Sequence, residues 1–264
     1  MTLRETVDAL CLERIGREPN LDNPKGFNDL IQWLKIHDQR REHIRACDKW
    51  AVRDTIPKAH LVPARLGFSR KWKPRVVKCT HDCGSVRIVE TAREQVEAIV
   101  SMEDALAKPY GVEKGEWAYQ FVKPRVMTEM LLDRGITDYK FHCSHGRIRW
   151  VQVIAERYSE EGPRETILSP DGKHLPLHMD QNMRHVPEGG YPGDMAWKEL
   201  TALAEKLAKP WRYVRVDLYW SRNQAWFGEL TFWPLAGCYL TDDEPVFGRM
   251  LELDLSQRME PIVR

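Results

Sequence analysis

The chain has 264 residues, with 40 Lys and Arg against 39 Asp and Glu; a net charge of +1 gives no global field for nucleic acid or an anionic membrane surface. No stretch reaches the roughly 20 apolar residues that cross a bilayer, and MTLRETVDALCLERIG lacks a signal-peptide core, so a cytoplasmic protein is expected. Cys11, Cys47, Cys79, Cys83, Cys143 and Cys238 are too sparse for a disulfide scaffold and are expected to be reduced.

Phe27, Leu30, Ile31 and Leu34 recur at helical spacing and predict an amphipathic helix running into the polar, partly basic HDQRREHIRACDKW. RVVKCTHDCGSVRIVE then reads as strand, tight loop around Gly84, strand. Thr91 with Glu94 three residues on is a capping-box pattern, and Val96, Ile99, Val100 and Leu106 continue a helix that should stop before Pro109. VKPRVMTEMLL, a turn at 133–135, and YKFHCSHGRIRWVQVIAERY divided by Gly146 predict successive strands of one antiparallel sheet. Between 159 and 194, Pro, Gly, His and Asp interrupt any apolar period, which predicts a long loop, either passive or acting as a lid or acceptor loop. Trp197, Leu200, Leu203, Ala204 and Leu207 predict a further helix, ended by Pro210.

RYVRVDLYWSRNQAWFGELTF reads as two strands joined by a short turn around Arg222, Asn223 and Gln224. With the turn centred on Asn223, Asp217 falls opposite Glu229. Facing Cβ atoms in an antiparallel pair lie about 4.5–5.5 Å apart, so two carboxylates there repel unless positive charge lies between them. A hard divalent cation such as magnesium meets that need. Alternation puts Arg215, Asp217 and Tyr219 on one face and Val216, Leu218 and Trp220 on the other, so the polar set should face a cleft and the apolar set a core. The same carboxylates also read as an exposed sheet face, or as partners of Arg215 and other basic residues.

No GxxxxGK[ST], GxGxxG or protein-kinase signature is present, which removes support for the common P-loop and dinucleotide folds. Lys78 and the turn after it offer a cation and backbone donors of the kind phosphates need. In order, FNDLIQWLKIHD, CDKWAVRD, VVKCTHDCGS, VMTEMLLDRGITDYKF, RVDLYW and FGELTFWP resemble the ATP-grasp superfamily, and within it the teichuronopeptide-biosynthesis (TupA-like) group. The resemblance implies an α+β fold of two lobes, each with an antiparallel sheet and helices, holding ATP between them. It implies an N-terminal helical or substrate-side segment at 1–65, a small lobe with a glycine-bearing loop at 66–130, and a large lobe with a metal-binding hairpin at 131–264.

By the same resemblance, Lys49 and Lys78 hold ATP phosphates beside Gly84, and Glu129 with Met130, Leu131 and Leu132 lines the adenine pocket. Asp138 binds the ribose hydroxyls, with Lys140 following on its strand face, and Asp217, Glu229 and Thr231 hold magnesium. Two positions depart from the pattern: His81-Asp82-Cys83-Gly84-Ser85 stands where related sequences have a Gly-Ser-Gly type loop, and Thr231 where many have Asn. The implied reaction is attack of a carboxylate on the γ-phosphate of ATP to give an acylphosphate, which an amine intercepts to form an amide. Lys78, Arg157 and Arg215 are the implied catalytic cations, and Arg53 is a candidate for binding an acidic acceptor. The implied setting is bacterial surface-polysaccharide or peptide-conjugate biosynthesis, on a small-molecule or saccharide-linked carboxylate with an amine or hydroxyl acceptor. Two alternatives stand beside this: a small-molecule or sugar kinase on the same scaffold, and a zinc-containing binding protein using Cys79, His81 and Cys83 with His142, Cys143 and His145.

Overall fold

The computed structural model describes residues 1–264 except 69–72, 158, 187–188, 260 and 264. Two helices, α1 (Leu3–Ile15) and α2 (Phe27–His37), precede α3 (Arg41–Cys47), β1 (Ala64–Leu66), β2 (Arg75–Cys79) and β3 (Val86–Val89). The chain continues through α4 (Ala92–Ser101), α5 (Glu103–Ala107), β4 (Val126–Met130), β5 (Asp138–Ser144), β6 (Arg147–Ala155) and β7 (Arg164–Leu168). It ends with β8 (His174–Leu175), β9 (Arg184–His185), α6 (Asp194–Ala208), β10 (Tyr213–Ser221), β11 (Gln224–Thr231) and α7 (Glu244–Leu251).

These elements form two compact units, Arg40–Arg134 and Met1–Gln39 with Gly135–Arg264. The sequence reading placed its boundaries at 65/66 and 130/131 instead. The difference has a packing cause: α2 lies against α7 and the turn Pro234–Gly237, whereas α3 lies against the turn Trp117–Phe121. Each unit has an antiparallel sheet with helices, so the molecule is an α+β protein as expected.

In the Arg40–Arg134 unit the sheet order is β1-β4-β2-β3. Val77, Cys79, Val89 and Val126 bury one face of this sheet against Ala98 of α4 and Met102. Strand alternation therefore turns Lys78 to the other face, together with Glu129, which stands opposite Val76. Thr91 caps α4 as its spacing predicts: its Oγ accepts from the Glu94 backbone N–H at 3.1 Å. The strand VMTEM, expected to share a sheet with the strands after it, does not. Both edges of β4 are taken by β1 and β2, and β5 starts the second sheet. Alternation identifies a strand, but its partners are decided by which edges are open.

The other unit has a seven-stranded sheet in the order β11-β10-β5-β6-β7-β8, with β9 parallel to β7. The stripe on α6 packs against β5, β6, β10 and β11, where Val216 and Leu218 are fully buried and Trp197 meets Phe141. The opposite face carries Arg215, Asp217 and Tyr219 of β10, and α2 covers one end of it. There the Phe27 ring meets His142, Trp150, Tyr213 and Tyr239 edge-on. The loop expected over 159–194 is corrected in part: Arg164–Leu168 is a strand with four buried residues, and β8 and β9 add to it. Pro187 and Glu188, within that stretch, lie outside the described residues.

Candidate functional site

The β10–β11 hairpin turns on two residues, Arg222 and Asn223, with φ of 55° and 56°, the left-handed pair that a type I′ turn requires. Ser221 faces Gln224, so the turn is one residue shorter than the centre on Asn223 assumed. A bulge at Gly228 then shifts the register by one, and Asp217 faces Glu229. The expected pair therefore arises from a two-residue turn plus a bulge. A Cβ at Gly228 would sit 2.9 Å from the Asp217 carbonyl oxygen and 3.0 Å from the Tyr219 ring. Gly228→Ala should thus cost about 1–3 kcal/mol from overpacking, and activity should fall further than the loss of folded protein explains. Activity per folded molecule, with folding followed by thermal melting, checks this.

Asp217 does not face an open cleft as alternation suggested; it is 3% exposed. Its Oδ1 accepts from Arg215 Nε at 2.7 Å, and its Oδ2 accepts from Arg215 Nη2 at 2.7 Å and Lys140 Nζ at 2.8 Å. The fork and the ammonium supply the positive charge that a buried carboxylate needs. Burial alone would raise the Asp217 carboxyl, but Arg215 first and Lys140 next reverse this and hold it at about 2. Arg215 also donates to Thr231 Oγ at 3.2 Å and lies 3.7 Å from Glu229. Glu229 and Thr231 meet in turn at 3.3 Å. Five of the residues named from sequence, Lys140, Arg215, Asp217, Glu229 and Thr231, thus form one cluster.

The cluster extends beyond what the sequence reading named. Lys140 pairs across the sheet with Gln152, whose amide donates to Glu165 Oε1 at 2.6 Å. Glu165 Oε2 accepts from the Met179 N–H at 2.8 Å, which ties down the segment after β8. Burial raises the Glu165 carboxyl. A glutamine inside the apolar run RWVQVIA and a glutamate inside RETIL were the available signals. Asp138 and Arg157, expected in separate roles, form an ion pair with each other.

The Arg40–Arg134 unit holds a second cluster. Lys78 Nζ lies 2.5 Å from Glu129 Oε2, and Arg53 Nη1 lies 3.1 Å from Glu129 Oε1. Arg53 also donates to the Val62 carbonyl, so it stands in this cluster with its side chain 14% exposed. Lys49 donates to the Asp82 carbonyl in the loop that contains Gly84, whose φ is 117°. Ser85 bonds the Asp82 carboxylate, which turns that side chain into the loop. The Met130 N–H donates to the Pro63 carbonyl and the Leu131 N–H to the Pro74 carbonyl, while Leu132 is half-buried beside them.

Cys79, His142 and Cys143 are buried, and His142 stacks on Trp150 with ring centroids 4.5 Å apart. Among the described residues no three His, Cys, Asp or Glu side chains converge as a metal-binding group. All six cysteines are free thiols, and no described helix is long and apolar enough to cross a membrane.

A sequence model of the TupA-like ATPgrasp family matches residues 29–247. No curated protein matches the chain. Similar solved structures include the D-alanine-D-alanine ligase of Helicobacter pylori, at 16% identity and a TM-score of 0.49, covering 86% of this chain and 69% of that one. The D-alanine-D-alanine ligase of Bacillus anthracis complexed with ATP gives 13% identity and a TM-score of 0.47, covering 94% and 72%. The ATP-grasp ligase PsnB complexed with minimal precursor gives 12% and 0.46, covering 84% and 66%. The family match takes in both clusters and most of both units, and on it the chain belongs to the TupA-like ATP-grasp family.

Proposed function

We propose that this protein is a magnesium-requiring ATP-dependent ligase that activates a carboxylate as its acylphosphate and joins it to an amine. The observation that carries this reading is the buried Arg215–Asp217–Lys140 cluster with Glu229 opposite, in a chain of an ATP-grasp family. The donor set fits magnesium: Asp217, Glu229 and Thr231 offer only hard oxygens, and the Glu229 side chain, 32% exposed, remains within reach of solvent. The protein supplies too few ligands to enclose an ion, so phosphate oxygens and water complete the set. Bound magnesium would neutralise phosphate charge during transfer.

The chain's own groups position and neutralise. Lys78, with Lys49 bracing the glycine-bearing loop, takes the phosphates, and Glu129 through Leu132 line the adenine. Asp138 takes the ribose hydroxyls while Arg157 fixes its orientation. Arg215, held in place by two bonds to Asp217, offers its positive charge to the acylphosphate as charge builds on it. The acid is a uronic or amino acid in surface-polysaccharide or peptide-conjugate assembly, and the setting is the cytoplasm, where ATP is supplied and free thiols persist.

Calorimetric titration of the full chain with ATP, with and without magnesium, tests the reading. Wild type should bind with a magnesium-dependent component that Glu229→Gln loses. Absence of ATP binding by wild type overturns the proposal, and a phosphorylated hydroxyl as product would replace the ligase with a kinase.

A further inference from the structure

Three histidines that no role above uses meet at the outer edge of the seven-stranded sheet. His174 lies in β8, His185 in β9, and His178 in the segment between them. The His178 and His185 ring centroids are 3.5 Å apart, and those of His174 and His185 are 5.8 Å apart. One stack of imidazoles thus gathers segment 174–185 at both ends and in its middle. Backbone pairing secures it only briefly: β8 and β9 each pair with β7 over two residues. Between them Met179, fully buried, and Asp180 direct their N–H groups to Glu165 Oε2 at 2.8 and 3.4 Å. The His178 N–H donates to Asp243 Oδ2 at 2.8 Å, and Thr241 Oγ donates to the His178 carbonyl, which ties the segment to the stretch before α7. So short a set of pairings lies at the low end of local stability, where side-chain contacts decide between closed and open.

The stack holds only while its members are uncharged. His174 Nε2 and His185 Nδ1 are buried and have no hydrogen-bond partner. In a neutral imidazole the nitrogen left there is the bare one; protonation turns it into an N–H buried without an acceptor. Imidazolium rings in contact would also repel each other. Among the described residues the three rings do not converge as a metal-binding group, which leaves protonation as the chemistry they can sense.

The surrounding charges offer little compensation. On β7, Glu165 stands opposite His185, but its carboxylate already accepts from Gln152 and from the Met179 and Asp180 amides. Arg164 and Arg184 are both paired with Glu156, Lys173 beside His174 is paired with Asp171, and Asp180 accepts from Asn182. His178 lines a cavity with Arg17, Asp242, Asp243 and Glu244; of these Arg17 is paired with Asp29, and Glu244 accepts from the Asn28 N–H. Burial first, then His178 and His174, hold the His185 imidazole below its ordinary value, against the opposite pull of Asp243.

We infer that the His174–His178–His185 stack is a proton-operated latch: neutral, it closes segment 174–185 onto β7 and the stretch before α7, and protonation on mild acidification releases the segment. The sign follows from linkage. In the open segment the imidazoles regain an ordinary value of about 6.5, so the open state takes up more protons and gains on the closed one as pH falls below that value. Above it, closure is fully present. Release withdraws the Met179 and Asp180 N–H groups from Glu165, whose other oxygen holds Gln152, the cross-strand neighbour of Lys140. Opening therefore reaches the sheet face that carries the Asp217 cluster. The latch does not depend on the ligase reading.

The test takes the full chain from about pH 8 to about pH 5, reading the three imidazoles by side-chain NMR and the segment by amide hydrogen exchange corrected for intrinsic rates. At least one imidazole should titrate below about 6, and protection of the Met179 and Asp180 amides should fall about ten-fold or more on the same curve, while α6 keeps its own. His178→Gln, at an exposed position, removes one charge from the stack and should move the midpoint to lower pH. Constant protection across the range, or three imidazoles that all titrate at about 6.5, overturns the latch. So does a midpoint that His178→Gln leaves in place, because the opening then belongs to Glu165, whose carboxyl burial raises.

Discussion

Asp217→Asn should lower the unfolding free energy by about 3–5 kcal/mol, because it leaves Arg215 and Lys140 buried beside a neutral amide. Their side chains are 10% and 12% exposed, so water relieves little of that charge. Glu229→Gln removes a carboxylate whose side chain is 32% exposed and should shift stability by less than about 1 kcal/mol, while still abolishing the magnesium-dependent part of ATP binding. The contrast would separate a carboxylate that also holds the fold from one that chiefly serves the nucleotide. The pH dependence has a definite sign. The Asp217 carboxyl is depressed to about 2 in the folded state, below its unfolded value near about 4. Its contribution is therefore fully present above the unfolded value and is lost as pH falls towards the folded one, about 2–3 kcal/mol in all. Urea melts of wild type and Asp217→Asn should converge as pH drops from about 5 to about 2; other carboxylates titrate in both proteins and cancel. A gap that stays constant over that interval would show that Arg215 and Lys140 do not depend on the Asp217 charge.

The sequence was legible where one physical rule acted alone. The α6 stripe has one buried face, so its 3.6-residue period survives intact. The Thr91 cap is local, and so is the turn at Gly146, where His145 and Gly146 both have positive φ. The hairpin gave the right partners through two features that offset each other: the turn is one residue shorter than assumed, and Gly228 restores the register as a bulge. Sequence was mute where the outcome depends on distant segments. β7 is five residues long, buried along most of its length, and carries Glu165, so it shows neither alternation nor an apolar run. Its glutamate becomes intelligible only once Gln152 and the Met179 N–H stand next to it. Likewise, α2 has nine of its eleven residues buried because α7, more than 200 positions later in the chain, lies against it. The candidate residues segregate in the same way. Alternation put Arg215 and Asp217 on one strand face, where they bond directly, but the Lys140–Asp217 and Lys78–Glu129 contacts come from strand pairing, which no single segment encodes.

Lys78→Met should reduce ATP-dependent turnover by about 10²–10³-fold, the usual loss when one preorganised donor to developing charge is removed, and should destabilise the fold less than Asp217→Asn does. Methionine keeps most of the stem that packs on the sheet, and Glu129 retains Arg53 at 3.1 Å, so the carboxylate is not stranded. Glu129 should matter to the same function by a different route. With its carboxylate 2.5 Å from Lys78 and 3.1 Å from Arg53, it sets where the ammonium points while no phosphate is bound. Glu129→Gln leaves the two cations adjacent with no charge between them, so Lys78 should be displaced and kcat/KM should fall as well. Because the two residues act as one unit, the double variant should be no worse than Lys78→Met alone; a non-additive cycle is the signature of shared function. Additive losses would mean that Glu129 serves the nucleotide separately, through the adenine. Unchanged turnover in Lys78→Met would remove this lysine from phosphate binding and leave Lys49, now bonded to the Asp82 carbonyl, as the cation to test next.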